Sequence, residues 1–169
     1  MILSAFTLFH VALSLVGIGS GFVVLSGLLQ SKRLDGWTML FLVTTAATSL
    51  TGFFFPFHGI TPGIVVGILS LIVLGLATLA RYSFRLAGGW RMVYVIDAAL
   101  ALYFNVFVLV VQLFQKVPAL NALAPHQSEP PFQIAQLVVL VLFVVLTIRA
   151  AMKFREGPTS ARNTIGSTG

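Results

Sequence analysis

No Asp, Glu, Lys or Arg occurs before Lys32, and none occurs between Gly36 and Ala80. Soluble domains need charge on most of their elements and carry about 25% charged residues overall. This chain of 169 residues has 8%, against 58% hydrophobic residues. Crossing about 30 Å of hydrocarbon at a rise of about 1.5 Å per residue takes about 20 apolar residues, and the uncharged stretches supply them. The pattern therefore predicts an all-α integral membrane bundle. With most of the length committed to spans, no soluble catalytic domain fits, so any chemistry lies in the bilayer or at its surfaces.

Five segments are expected to span, at about residues 4–29, 37–55, 62–82, 91–115 and 132–153, within a single domain of residues 1–156. The first lacks a basic leader and is too long for a cleaved signal peptide. The uncharged run from Gly36 is broken by Pro56, Gly59, Pro62 and Gly63 where one bilayer thickness is used up, which makes two helices and a turn. Asp35 is placed to cap the second helix, and Pro62 suits the first turn of the third. Residues 157–169 are small, polar and aperiodic and read as a disordered cytoplasmic tail.

Basic residues are retained on the cytoplasmic side of a membrane. In a five-helix arrangement Lys32, Arg33, Arg81, Arg85, Arg91, Arg149, Lys153, Arg155 and Arg162 fall on one side and Lys116 alone on the other. This predicts an N-terminus outside and a C-terminus in the cytoplasm. Trp37, Tyr82, Trp90 and Tyr94 then form an inner aromatic belt, and Phe53, Phe54, Phe55, Phe57 and Phe132 the outer boundary. Because the positive charges sit between spans, the net charge of +6 does not point to nucleic acid. The segment from Lys116 to Pro131, with four prolines, is expected across the outer face, either capping the bundle or as a plain surface loop.

Ionisable groups in hydrocarbon cost roughly 2.5–3.5 kcal/mol at mid-bilayer, so they mark candidate sites. At 100° per residue Asp97, Asn105 and Gln112 share one face of the fourth helix, joined by Tyr94, and the stripe runs about 22 Å along the axis. The first reading pairs Asp97 with Arg81 or Arg91 and uses Asn105 and Gln112 to bond neighbouring helices; a translocation path and a polar ligand site are the alternatives. Thr44, Thr48 and Thr51, with Thr45 and Ser49 beside them, give the second helix a hydroxyl face. Such hydroxyls ordinarily bond their own backbone; a hydrophilic lining opposite the stripe is the alternative.

His10, His58 and His126 all fall at the outer side, with Glu129 nearby, a set able to ligate Zn or Cu only if it converges. His10 shares a helix face with Thr7, Ser14, Gly17 and Gly21, whose small side chains allow close helix contact. It is therefore expected to point into the bundle as a hydrogen-bonded histidine, with ligation of haem or metal and proton exchange as alternatives. The absence of cysteine removes disulfides, thiolate metal sites and Cys nucleophiles. There is no His-Glu-x-x-His, phosphate loop or dinucleotide fingerprint, and one membrane Asp makes no aspartyl dyad. An enzyme is not expected.

Four segments carry a resemblance: Leu34-Asp35-Gly36-Trp37-Thr38; Thr51-Gly52-Phe53-Phe54-Phe55-Pro56-Phe57; Asn105 to Gln112; and Leu123-Ala124-Pro125 with Ser128-Glu129-Pro130-Pro131-Phe132. Over about residues 7–154 the chain resembles a group of small multi-pass bacterial inner-membrane proteins with no assigned activity. The resemblance implies a bacterial cytoplasmic membrane and assigns no site residues.

The expected function is a non-catalytic accessory or interaction subunit, meeting a membrane-protein partner or a second copy of itself in the bilayer. One alternative is a small transporter or proton-coupled permease using Asp97, Asn105, Gln112 and the threonines of the second helix. The other is a redox protein with an outer-face site, binding haem or metal at His10 or a quinone among Phe53, Phe57 and Phe132.

Overall fold

In the computed structural model, which describes residues 2–56 and 62–154, the chain runs through six helices: α1 (Ile2–Leu29), α2 (Asp35–Gly52), α3 (Pro62–Thr78), α4 (Trp90–Lys116), α5 (Pro118–Leu123) and α6 (Pro130–Lys153). A π-helical turn, Leu79–Ser83, prolongs α3. Phe57, His58 and the 157–169 tail lie outside the described residues, as do Arg155 and Arg162.

Four of the helices are long and apolar enough to cross a membrane: α1 from Ala5, α3 with its π-helical turn, α4 and α6. The chain is thus a multi-pass helical membrane protein. Of the five expected spans these four meet the length and composition of a membrane crossing, and α2 does not. In its 18 residues α2 holds Asp35, five threonines and Ser49, which dilute its apolar content below that of the others. It packs antiparallel to α1 from end to end. His10 meets Thr51, Gly17 and Gly21 lie against Thr45 and Phe41, and Gly27 makes room for Leu34.

The links explain how the helices reverse. α1 closes in a Schellman motif: Ser31 takes a left-handed φ of 57°, and the N–H groups of Lys32 and Ser31 reach back to the carbonyls of Gly27 and Leu28 at 2.8 and 3.2 Å. This satisfies carbonyls that the helix end would leave orphaned. After the π-helical turn, Arg85 and Leu86 are also left-handed, which folds Leu86 into the core at 3% exposure and stacks Phe84 on Trp90 at 3.9 Å. The expected side-chain cap on α2 is not formed. Leu34 precedes the helix, and Asp35, its first residue, turns its carboxylate to Arg81 instead.

The tightest packing lies at the Arg81 end. Ala77 and Ala80 of the α3 segment and Ala101 of α4 have no exposed surface and pack in one cluster with Phe41, Tyr94 and Leu102. Tyr94, expected in an aromatic belt, is 1% exposed and belongs to this core, whereas Trp37 and Tyr82 are about half exposed. α6 packs against α4 and buries only Phe143 and Ala150 fully, leaving most of its apolar surface to lipid. The 116–131 segment is not irregular throughout. It forms α5 and folds back on the end of α4, where Asn121 and Gln127 donate to the carbonyls of Phe114 and Val111 at 3.2 and 3.0 Å.

Candidate functional site

At the Lys116 end α1, α2, α3 and α4 separate around a cavity of about 470 Å³. α1 contributes His10 and Ser14 to its wall, α2 Thr48 and Ser49, α3 Ser70, and α4 Asn105, Gln112 and Lys116. The remaining wall is apolar, with Leu15, Ile18, Phe53, Phe104, Val108 and Leu109 prominent. On α4 the polar groups descend from Lys116 through Gln112 to Asn105, a depth of about 16 Å at about 1.5 Å per residue. No Asp or Glu lines the cavity.

The hydroxyls divide into two groups. A Ser or Thr inside a membrane helix ordinarily donates to the carbonyl one turn back. Ser14, Ser20, Thr44, Thr51, Thr78 and Thr147 all do so, to the residue four positions earlier, at 2.7 to 2.9 Å. Thr48 does not: its Oγ1 is buried with no hydrogen-bond partner, in a residue only 9% exposed. Ser49, Ser70 and Gln112 likewise form no hydrogen bond among the described residues. All four face the cavity, so its wall presents polar groups that the protein itself leaves unsatisfied.

His10 is held at this wall. Its Nδ1 lies 2.8 Å from Thr51 Oγ1, while the Thr51 hydroxyl proton is used on the carbonyl of Ala47 at 2.7 Å. With that proton so placed Nδ1 donates to Thr51, and in a neutral imidazole Nε2 then has the free lone pair. Phe55 packs edge-on against the ring at 5.0 Å. Deeper in, Asn105 Nδ2 donates to Thr45 Oγ1 at 3.1 Å, tying α4 to α2.

The stripe on α4 is consequently split. Asn105 and Gln112 reach the cavity, whereas Tyr94 and Asp97 do not. The expected pairing of Asp97 with Arg81 or Arg91 is not made. The Arg81 side chain, 2% exposed, bonds Asp35 across α2 and lies over the rings of Tyr94 and Tyr82 at 5.1 and 5.8 Å. The Tyr94 hydroxyl shares a hydrogen bond of 3.3 Å with Thr38. Asp97, 7% exposed, has no hydrogen bond or ion pair among the described residues.

The outer-face set of histidines does not assemble among the described residues, where no group of three or more His, Asp or Glu is placed to hold a metal ion. His126 and Glu129 build a local clasp instead, the carboxylate accepting the backbone N–H of His126 at 3.1 Å and of Ser128 at 3.0 Å. Desolvation pushes the Glu129 carboxyl up, but bonds from backbone N–H groups outweigh it and hold the group below the ordinary carboxylate range. His58 lies outside the described residues. Of the phenylalanines suggested for a quinone, Phe53 lines the cavity, Phe132 packs edge-on against Phe114, and Phe57 is not described.

Sequence reasoning passed over two members of the site. Ser70 is one of only two hydroxyl residues in the 17 residues of α3, a signal that was legible. Lys116 entered only as a charge marking orientation, and nothing in its neighbours shows that it borders a cavity. Compared with family models, with curated proteins and with solved structures, the chain matches none. The resemblance to small bacterial inner-membrane proteins gains no counterpart there, and the helices themselves support the coarser description, a multi-pass helical membrane protein.

Proposed function

We propose that the chain is a five-span protein of a bacterial cytoplasmic membrane, N-terminus outside, which binds a small amphipathic molecule in the outer half of its bundle. One observation carries this reading: a cavity of about 470 Å³, within the range for one small ligand, has in its wall the side chains of Thr48, Ser49, Ser70 and Gln112, without hydrogen-bond partners among the described residues. Burying a polar group unsatisfied costs free energy, and a ligand with a polar head and an apolar body would satisfy both faces of the wall. The fifth span is α2. It lies along α1 from end to end, and its 18 residues cover about 27 Å. Polar side chains are tolerated in it because they turn to the cavity, to its own backbone, or to Arg81, Tyr94 and Asn105 of neighbouring segments.

The small-residue faces that motivate an interaction subunit are used inside the chain. A methyl group at Gly21 would come within 2.6 Å of Leu102 and 2.9 Å of Phe41, and one at Gly67 within 3.1 Å of Phe53. A second reading, a carrier, is favoured by the Arg81 end. There a π-helical turn, a feature that often marks functional sites, presents the guanidinium that bonds Asp35 below the cavity floor, in the position of a closed inner gate.

Binding is tested by native mass spectrometry of the protein released from its own membrane. Wild type is expected to retain one equivalent of a small amphiphile, and Val108→Trp, which fills the cavity, to lose it. Equal retention by both, or none by wild type, overturns the reading. The topology is tested in this cysteine-free chain with an impermeant maleimide: Ser128→Cys should label in intact cells and Ser31→Cys only after permeabilisation.

A further inference from the structure

We infer that the molecule held in this cavity is a single-chain amphiphile with a carboxyl head. The inference rests on the binding reading above and adds the charge and chemistry of the ligand.

Three observations lead to it. First, among the described residues the lining has one formal charge, the Lys116 ammonium, and no carboxylate. In a cavity walled by apolar side chains an unopposed charge of one sign selects ligands of the other. A cationic head would meet Lys116 with no acid to offset it. Second, every one of the unsatisfied groups can donate: the hydroxyls of Thr48, Ser49 and Ser70, which can also accept, and the Nε2 amide of Gln112. An ionised carboxyl is acceptor-only and takes about four hydrogen bonds, so it matches this set better than an alcohol, which offers one donor and two lone pairs. Third, the Thr51 bond fixes the His10 proton on Nδ1. Nε2, without a partner among the described residues, is then an acceptor for the proton of a ligand arriving as the neutral acid, and the imidazolium that results adds positive charge to the same wall.

The tail follows from the rest of the lining. Ile18, Leu15, Phe104, Val108 and Leu109 provide an apolar wall beside the polar one, and the volume suits one small molecule and not a two-chain lipid. Lys116, exposed at the end of α4, has a long flexible stem that lets its ammonium follow the head group.

The experiment uses the full chain in phosphatidylcholine nanodiscs, with empty nanodiscs as the blank for partitioning, and three probes of equal tail length: dodecanoate, dodecanol and dodecyltrimethylammonium. Saturable binding is expected to be tightest for dodecanoate, about tenfold weaker for dodecanol and absent for dodecyltrimethylammonium, the tenfold factor corresponding to one charge-assisted contact. Lys116→Gln should weaken dodecanoate about tenfold and narrow its preference over dodecanol to within about threefold. Lys32→Gln, at the other end of the bundle, serves as the control and should leave dodecanoate unchanged. Thr48→Val, nearly isosteric, should weaken dodecanoate several-fold even if the Lys116 variant fails to assemble. Dodecanol or dodecyltrimethylammonium binding as tightly as dodecanoate overturns the carboxyl assignment while leaving the cavity a binding site. A dodecanoate affinity insensitive to both cavity variants also overturns it. Absence of saturable binding for all three probes removes the carboxyl assignment and the binding reading together.

Discussion

Both ends of the bundle hold polar side chains between the helices, and they treat them in opposite ways. At the Arg81 end the polar groups find one another: Arg81 bonds Asp35, its guanidinium covers Tyr94, and Tyr94 meets Thr38. Small side chains at Ala77, Ala80 and Ala101 let the helices close over them. At the Lys116 end the side chains of Thr48, Ser49, Ser70 and Gln112 face a cavity and have no hydrogen-bond partner among the described residues. The same physics acts in both places, since a buried polar group must be satisfied or be paid for. The difference is what supplies the partner: the protein at one end, and at the other, on the proposed binding function, a molecule from outside it. Asp97 is the exception at the closed end, a buried carboxyl without a partner among the described residues.

The largest expected effect tests how tightly the closed end is packed. Gly21→Val places methyl groups where even one would overlap Leu102 and Phe41, and overpacking of this kind costs about 1–3 kcal/mol or more. Gly75→Ala, with open space around it, should instead stabilise by up to about 1 kcal/mol through helix propensity. Thermal unfolding in mild detergent reads both, and equal midpoints would show that the Gly21 junction is loose.

Next, Asp35→Asn leaves a nearly fully buried guanidinium without its counter-ion. Breaking such a pair is costly when the charge left behind is buried, but the Asp35 side chain is 75% exposed and solvent screens the attraction. A loss of about 1–2 kcal/mol is expected, read on the same unfolding curves. No loss at all would mean that the tyrosine rings alone hold Arg81.

A smaller effect compares neighbouring threonines across the boundary between the two regions. Thr45→Val removes the acceptor of Asn105 and should cost about 1 kcal/mol, within the range for interhelical bonds in membranes. Thr48→Val removes a hydroxyl that has no protein partner, so its stability without ligand should stay within about 0.5 kcal/mol of wild type. If the two variants were equally destabilised, the distinction between the closed and open ends would fail at its most direct point.

The smallest effect concerns the clasp beside the bundle. The Glu129 carboxyl is held below the ordinary carboxylate range, so the ionised clasp contributes at pH values above the unfolded-state pKa and is lost as pH falls through the folded one. Amide exchange at His126 and Ser128 should therefore quicken on acidification below the normal carboxylate range and stay slow at neutral pH. Exchange that does not respond to acidification would remove the carboxylate from the turn.

How much of this was legible before any coordinates depends on the residue. Long apolar runs with few or no charges announce α1, α3, α4 and α6, because the bilayer imposes a length and a polarity on any helix that crosses it. His10 turns inward as its face of small residues indicates, since Gly17 and Gly21 allow α2 and α4 to approach there. Helical spacing also places Asn105 and Gln112 on a common face with Asp97. Spacing along one helix says nothing about what stands opposite. Thr45 takes Asn105, the cavity takes Gln112, and Asp35 takes the Arg81 that spacing offers to Asp97. Local chemistry is just as easily overruled, as when Asp35 gives up capping α2 for a guanidinium on another helix. The sequence by itself determined which long segments are helical, which can enter a membrane and which carry polar groups inside it. Only the tertiary structure decided which of those groups satisfy one another and which are left facing a cavity, because hydrogen bonds and ion pairs between helices depend on distances of a few ångströms that no single helix encodes.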